Sequence, residues 1–246
     1  MRLLKRNDAG NISLANFDDD NVPPYAILSH TWGGEEVLFQ EMLDGTGEGK
    51  LGYRKIQFCA DQAWRDGFHF CWVDTCCIDK TSSAELQEAI NCMFRWYRWA
   101  AKCYVYLADI STPAWETPFR TSRWFTRGWT LQELIAPKSV EFFSGEGVRL
   151  GSRESLEQEI HEITKIPVNA LRGSLLREFT IEQRMAWMDK RQTTRQEDKA
   201  YSLFGIFDVC IPLLYGEGGE KALKRLLEEV NTPKSQSAML VSQSSS

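Results

Sequence analysis

The sequence predicts an α/β protein in which a parallel sheet is covered by helices on both faces over about residues 1–145, with a helical appendage over 146–230. Three observations predict it. Short apolar runs recur without the polar alternation of a half-exposed strand, as strands buried on both faces require. Each run is followed by a segment whose apolar residues recur every three or four positions, the period of a helix facing a core. Beyond Ser152 the strand-like runs cease and helical segments alone remain. With 246 residues the chain can bury one substantial core, so a single domain over 1–230 is expected.

The elements follow in order. Tyr25-Ala-Ile-Leu-Ser-His30 is an apolar run that stops at Trp32-Gly33-Gly34, the pattern of a buried strand ending in a glycine loop. From Leu51 to Arg65, apolar residues at Tyr53, Ile56, Cys59, Ala60, Ala63 and Trp64 predict a helix that Gly67 stops. Phe70–Asp74 predicts the second strand. Ser82 or Ser83 caps a helix from about Ala84 to Ala100, with Glu85 in its first turn. Cys103–Leu107 predicts the third strand, Thr126–Ile135 a helix that Pro137 ends, and Val140–Phe143 the fourth strand. The segments 156–163, 180–190, 197–209 and 220–230 predict the appendage. Residues 231–246 are rich in Ser and Gln without periodicity and predict a linker-like tail leading toward a further domain. In a parallel sheet of this kind, ligands sit beyond the carboxyl ends of the strands, so the loops after the first two strands and the helix after the third are the segments to inspect.

Composition excludes several classes. A hydrophobic share of 43% against 26% charged residues rules out a disordered effector for most of the chain. The net charge of -5, with Lys and Arg spread along the sequence, offers no basic stripe, so no nucleic-acid partner is expected. No apolar run approaches the ~20 residues of a membrane span, and Met1–Arg6 lacks a signal peptide's apolar centre. A cytoplasmic protein with no membrane partner is expected. Of the seven cysteines, Cys71, Cys92, Cys103 and Cys210 fall in apolar runs and are expected reduced and buried. Cys76 and Cys77 near His69 raise the question of zinc. As neighbours on a strand they would point to opposite faces, and no second Cys-x-x-Cys or His-x-x-x-His pair follows, so no metal is expected.

Five stretches resemble the HET (heterokaryon incompatibility) family of filamentous fungi, and they occur in family order. They are Tyr25-Ala-Ile-Leu-Ser-His-Thr-Trp-Gly33, Trp72-Val-Asp-Thr-Cys-Cys-Ile-Asp79, Arg127-Gly-Trp-Thr-Leu-Gln-Glu-Leu134, Glu197-Asp-Lys-Ala-Tyr-Ser-Leu-Phe-Gly205 and Leu213-Leu-Tyr-Gly-Glu-Gly218. The resemblance is to modules that precede a NACHT domain and repeats in NOD-like-receptor-type incompatibility proteins. It implies a cell-death effector, a downstream NACHT and repeat region in cis, and self-association. The HET family is in turn similar to TIR domains, which implies a TIR-like, flavodoxin-like sheet. Trp129-Thr-Leu-Gln-Glu133 looks like the TIR helix whose glutamate cleaves NAD.

That likeness implies an NAD glycohydrolase, with NAD as substrate and no cofactor. Trp129 and Glu133, four apart, would share one helix face and line one pocket. Glu133 would stabilise positive charge developing on the ribose, which a carboxylate does best in a water-poor site. Backbone N–H groups around Thr31, Trp32, Gly33 and Gly34, following Ser29 and His30, would hold the diphosphate, with Arg127 as counter-charge. Each assignment has a plain structural competitor. Glu133 can be a solvated helix residue, and His30 a satisfied core histidine. Asp74 and Asp79 can touch ribose or cap loops and helices. Ser29 has no His–Asp partnership set by spacing, so it is not expected to be a nucleophile. Phe94, Trp96, Tyr97 and Trp99 are expected in core and assembly surface. Arg184, Arg195, Glu197 and Asp198 are expected to fasten the appendage by salt bridges, and Tyr215–Gly218 to form a turn. The competing function is a non-catalytic module that signals death by assembly.

Overall fold

Among the described residues, seven strands form one mixed sheet: β1 (Arg2–Arg6), β2 (Ile12–Asn16), β3 (Ala26–His30), β4 (Phe70–Trp72), β5 (Lys102–Leu107), β6 (Val140–Ser144) and β7 (Arg149–Ser152), in the order β2-β1-β4-β3-β5-β6-β7. This is a computed structural model, and it describes residues 1–232. The tail expected over 231–246 therefore lies, from 233 onward, outside the described residues.

The four strands expected from the sequence are the central ones, β4-β3-β5-β6, and all their pairings are parallel. All five residues of β3 are buried, as coverage on both faces demands. The expected parallel sheet is extended at both edges by antiparallel strands. β1 and β2 form an antiparallel hairpin, and β1 pairs antiparallel with β4. At the other edge β7 folds back on β6. The hairpin has a readable cause: Asn7-Asp8-Ala9-Gly10 is turn-forming, and Gly10 takes φ 87°, a left-handed value that suits glycine.

The helices are α1 (Phe39–Leu43), α2 (Tyr53–Arg65), α3 (Asp74–Cys77), α4 (Ser83–Trp99), α5 (Glu116–Thr121), α6 (Thr130–Ile135), α7 (Glu157–Thr164), α8 (Val168–Leu171), α9 (Ile181–Ala186), α10 (Asp198–Tyr201), α11 (Phe204–Phe207) and α12 (Gly219–Asn231). Helix α2 buries Ile56, Cys59, Ala60 and Ala63, the predicted stripe. Ser82 caps α4 by accepting the Glu85 N–H at 3.3 Å. Helices α2 and α4 cover opposite faces. Phe58 of α2 meets Tyr106 and Phe143, whereas Trp96 and Tyr97 of α4 meet Trp72. The chain thus leaves β3 through α2 to β4 on one side and returns through α4 to β5 on the other, creating a topological switch point between β3 and β5.

Three local expectations change. The helix expected over 126–135 is split into a 3-10 turn (Arg123–Thr126) and α6, because Arg127 and Gly128 instead join the appendage: the Gly128 N–H donates to Gln192 O at 2.9 Å. Cys76 and Cys77 lie in the one-turn helix α3 rather than on a strand. No disulfide forms among the seven cysteines, but Cys210 is exposed and Cys92 half-buried, because α11 ends before Cys210 and leaves it in a surface segment. Among the described residues, no helix is long and apolar enough to cross a membrane.

Candidate functional site

Helix α6 is one and a half turns long, and all six of its residues are buried, including Thr130, Gln132 and Glu133. So short a helix cannot stand on propensity alone, and its neighbours hold it. At its C-terminus the Arg153 guanidinium donates to Leu134 O and Pro137 O at 2.9 Å and to Lys138 O at 3.0 Å, satisfying carbonyls that no helical N–H reaches. At its start the Thr130 hydroxyl donates to Trp124 O at 2.6 Å. Gly128, just ahead, is packed so tightly that a Cβ would sit 2.4 Å from Thr193 Cγ2 and 2.9 Å from Met188 Cε.

This framework aims Glu133 at the carboxyl end of β3. Its carboxyl group accepts a hydrogen bond from the Ser29 hydroxyl, whose oxygen accepts the Trp124 indole N–H at 2.8 Å. Glu133 is only 7% exposed, so it is not a solvated helix residue. Burial pushes its carboxyl up to about 8, and the Asp74 charge adds to the rise, while Ser29, Arg191 and Tyr97 oppose it. Near neutral pH this carboxyl is mostly protonated. The helix after the third central strand therefore meets the carboxyl end of β3 itself, just ahead of the glycine loop, at residues 104 positions apart in sequence.

A second cluster occupies the same end of the sheet. The His30 Nε2 lies 3.0 Å from Asp74 Oδ1. The other Asp74 oxygen accepts the Trp32 indole N–H at 2.9 Å and Lys80 at 3.4 Å, and the Lys80 ammonium stands 3.6 Å from the centre of the Trp32 ring. Burial alone would raise the Asp74 carboxyl, but Lys80, His30 and Trp32 overcome it and hold the group well below the usual carboxylate range. On the other side of His30, Lys55 approaches Nδ1 at 3.3 Å, donates to Thr31 O at 3.0 Å and pairs with Glu36.

The structure places the remaining candidates elsewhere. The Gly33 N–H, expected to face a diphosphate, donates to the Glu36 carboxylate at 2.6 Å, so the chain's own anion fills that position. The Trp129 indole N–H donates to Asp198 at 3.2 Å, turning toward the appendage rather than pairing with Glu133. Arg127 reaches Thr194 at 3.4 Å, also in the appendage. Asp79 closes a turn by accepting the Thr81 N–H at 3.0 Å and hydroxyl at 2.6 Å. Of the expected set, Ser29 and Glu133 meet directly, and His30, Trp32 and Asp74 meet beside them.

Sequence reasoning missed Lys55, Glu36, Lys80, Trp124 and Arg191. Lys55 carried a signal, being a charge four positions before Cys59 on an otherwise apolar stripe. The appendage residues do fasten it, but through hydrogen bonds and ring contacts in place of the expected salt bridges. Glu197 accepts the N–H groups of Gly216 and Gly218 at 2.9 and 3.1 Å. Asp198 accepts Tyr215 at 2.9 Å, Arg195 lies over the Tyr215 ring, and Arg184 donates to Ile206 O. Residues 215–218 form the expected turn, with Gly216 and Gly218 at positive φ.

Residues 25–116 match the family model described as heterokaryon incompatibility protein (HET), a span that ends before α6 and so says nothing by itself about Glu133. The chain is also 63% identical over 241 residues to the vegetative incompatibility protein HET-E-1 of Podospora anserina, an alignment covering 94% of this chain but 18% of that relative. No solved structure matches. On the family match and this identity, the chain belongs to the heterokaryon incompatibility (HET) family.

Proposed function

We propose that this chain is the cell-death effector module of a vegetative incompatibility protein, TIR-like in its central sheet, and that it cleaves NAD to nicotinamide and ADP-ribose when clustered. The observation that carries the reading is the meeting of Glu133 with Ser29 at the carboxyl ends of the parallel strands, beside the switch point where such sheets bind ligands. Membership in the HET family and likeness to an incompatibility protein support the cell-death role. The relative's much greater length supports a receptor region following in cis.

In this mechanism the bond between ribose C1′ and the nicotinamide nitrogen breaks, and the bonding pair leaves with nicotinamide, which departs neutral. No general acid is needed. Positive charge spreads over C1′ and the ring oxygen, and ionised Glu133 stabilises it in a site that excludes water. Water adds at C1′ and gives up its proton through Glu133 to solvent, completing ADP-ribose. The carboxyl titrates near 8 in the free protein, so kcat/KM rises with pH and levels off above about 8.

A second reading, an assembly module without catalysis, is favoured by the closed state of the site. Glu133 is buried against Ser29, and a surface concavity of about 850 Å³ lies elsewhere, lined by residues of α12 and the adjoining Thr232, with none of the site's side chains. Purified, concentrated protein incubated with NAD separates the two. Nicotinamide release that Glu133→Gln abolishes supports the enzyme, whereas no release, with toxicity persisting in folded Glu133→Gln, supports assembly.

A further inference from the structure

Besides Arg153 at the C-terminus of α6, the appendage delivers a second buried cation, Arg191, to the start of this helix. Arg191 is 3% exposed and lies on the segment that follows α9. One terminal nitrogen donates to Arg127 O at 2.8 Å and to the Thr130 hydroxyl at 2.7 Å. The other, Nη2, is buried with no hydrogen-bond partner. A buried guanidinium normally has its donors filled, because each unpaired one carries its full desolvation cost. A purely structural clasp between the appendage and α6 would use the Thr130 and Arg127 contacts and would not need a charge. Thr130 and Glu133 are three residues apart on α6, hence neighbours on one buried face.

We propose that Arg191 is a positioning residue for Glu133: through it the appendage sets how the carboxyl group is held and completes the site that the α/β part begins. The proposal rests on the reading of Glu133 as the NAD-cleaving carboxylate and deepens it. It also gives the appendage a role, since Gln192, next in sequence, bridges to Arg127, and Gly128 is bonded to Gln192 O. The groups facing Glu133 are Ser29 from β3, Asp74 from α3, Tyr97 from α4 and Arg191 from the appendage, with the Cys103 thiol of β5 on its backbone carbonyl. Arg191 is the one cation among them. Burial opposes the charge on both groups, and against it each charge favours the other: the guanidinium favours the ionised carboxylate, and the carboxylate the charged guanidinium.

The test measures the Glu133 carboxyl directly, by carbon-13 NMR titration of side-chain-labelled protein, alongside the pH profile of nicotinamide release. Arg191→Met moves the Glu133 midpoint upward by about one pH unit or more, and Arg191→Lys restores most of the difference. Release at pH 7 falls about tenfold in Arg191→Met and recovers as the pH is raised past the new midpoint, which damage to the fold alone does not do. An unchanged midpoint in folded Arg191→Met overturns the proposal. Should that variant not fold, Thr130→Val removes the hydroxyl that holds the guanidinium against α6, and an unchanged midpoint there overturns it equally. Absence of NAD cleavage in the wild-type protein would end the catalytic reading while leaving the midpoint measurement to decide whether Arg191 controls Glu133.

Discussion

Glu133→Gln stabilises this protein at high pH, by an amount the structure sets. In the unfolded chain the Glu133 carboxyl titrates near 4.5, and in the fold near 8, with burial the main cause. The folded state therefore holds the proton more tightly, and stability contributed by this group falls as pH rises from about 4.5 to about 8, then levels off. A gap of about 3.5 pH units corresponds to about 5 kcal/mol at ~1.36 kcal/mol per unit. About 1 kcal/mol of this is already lost at pH 5, so the expected loss between pH 5 and pH 9 is about 4 kcal/mol. Glutamine keeps the shape and an oxygen to accept the Ser29 hydroxyl, and it cannot ionise. Urea unfolding of both proteins at pH 5, 7 and 9 measures the effect, all other titrating groups being common to the pair. The variant's advantage over wild type should grow by about 4 kcal/mol across that range. Stability curves that run parallel in pH would show that Glu133 is not a buried, raised carboxyl, and the mechanism would fall with it.

Ser29→Ala removes the donor to Glu133 and leaves the buried Trp124 indole N–H without its acceptor. It should cost about 1–3 kcal/mol in urea unfolding and raise the Glu133 midpoint above about 8 by NMR, since the lost hydrogen bond favoured the charged form. Gly128→Ala places a methyl 2.4 Å from Thr193 and 2.9 Å from Met188, so its melting temperature should fall, corresponding to roughly 1–3 kcal/mol of overpacking, and no drop would mean that this junction is loose. Asp198→Ala strips the partner from both Trp129 and Tyr215. A loss of roughly 2–3 kcal/mol is expected, with faster hydrogen exchange in α10 and the 215–218 turn, and unaltered exchange there would refute the clamp.

The central sheet was legible in the sequence because its strands are apolar on both faces and its long helices carry a stripe every three or four residues, signals that depend on local pattern alone. The approach of α6 to the end of the first central strand was expected through a resemblance to TIR domains and not from spacing, and the hydrogen bond made there is to Ser29, inside β3. The antiparallel edges were overlooked: β1 (Arg-Leu-Leu-Lys-Arg) and β7 (Arg-Leu-Gly-Ser) each hold at most two adjacent apolar residues, too short a run to read as a strand, so their pairing stands out only once β4 and β6 offer open edges. What tertiary structure alone decided is the electrostatics. Whether Glu133 is ionised depends first on its burial and then on Ser29, Asp74, Arg191 and Tyr97, which come from separate parts of the chain. Whether Gly33 is open to an anion depends on Glu36 being held there by Lys55. Propensity and periodicity are properties of neighbours in the chain, whereas desolvation and Coulomb forces depend on neighbours in space, and the fold is what makes residues such as Ser29, Glu133 and Arg191 into neighbours.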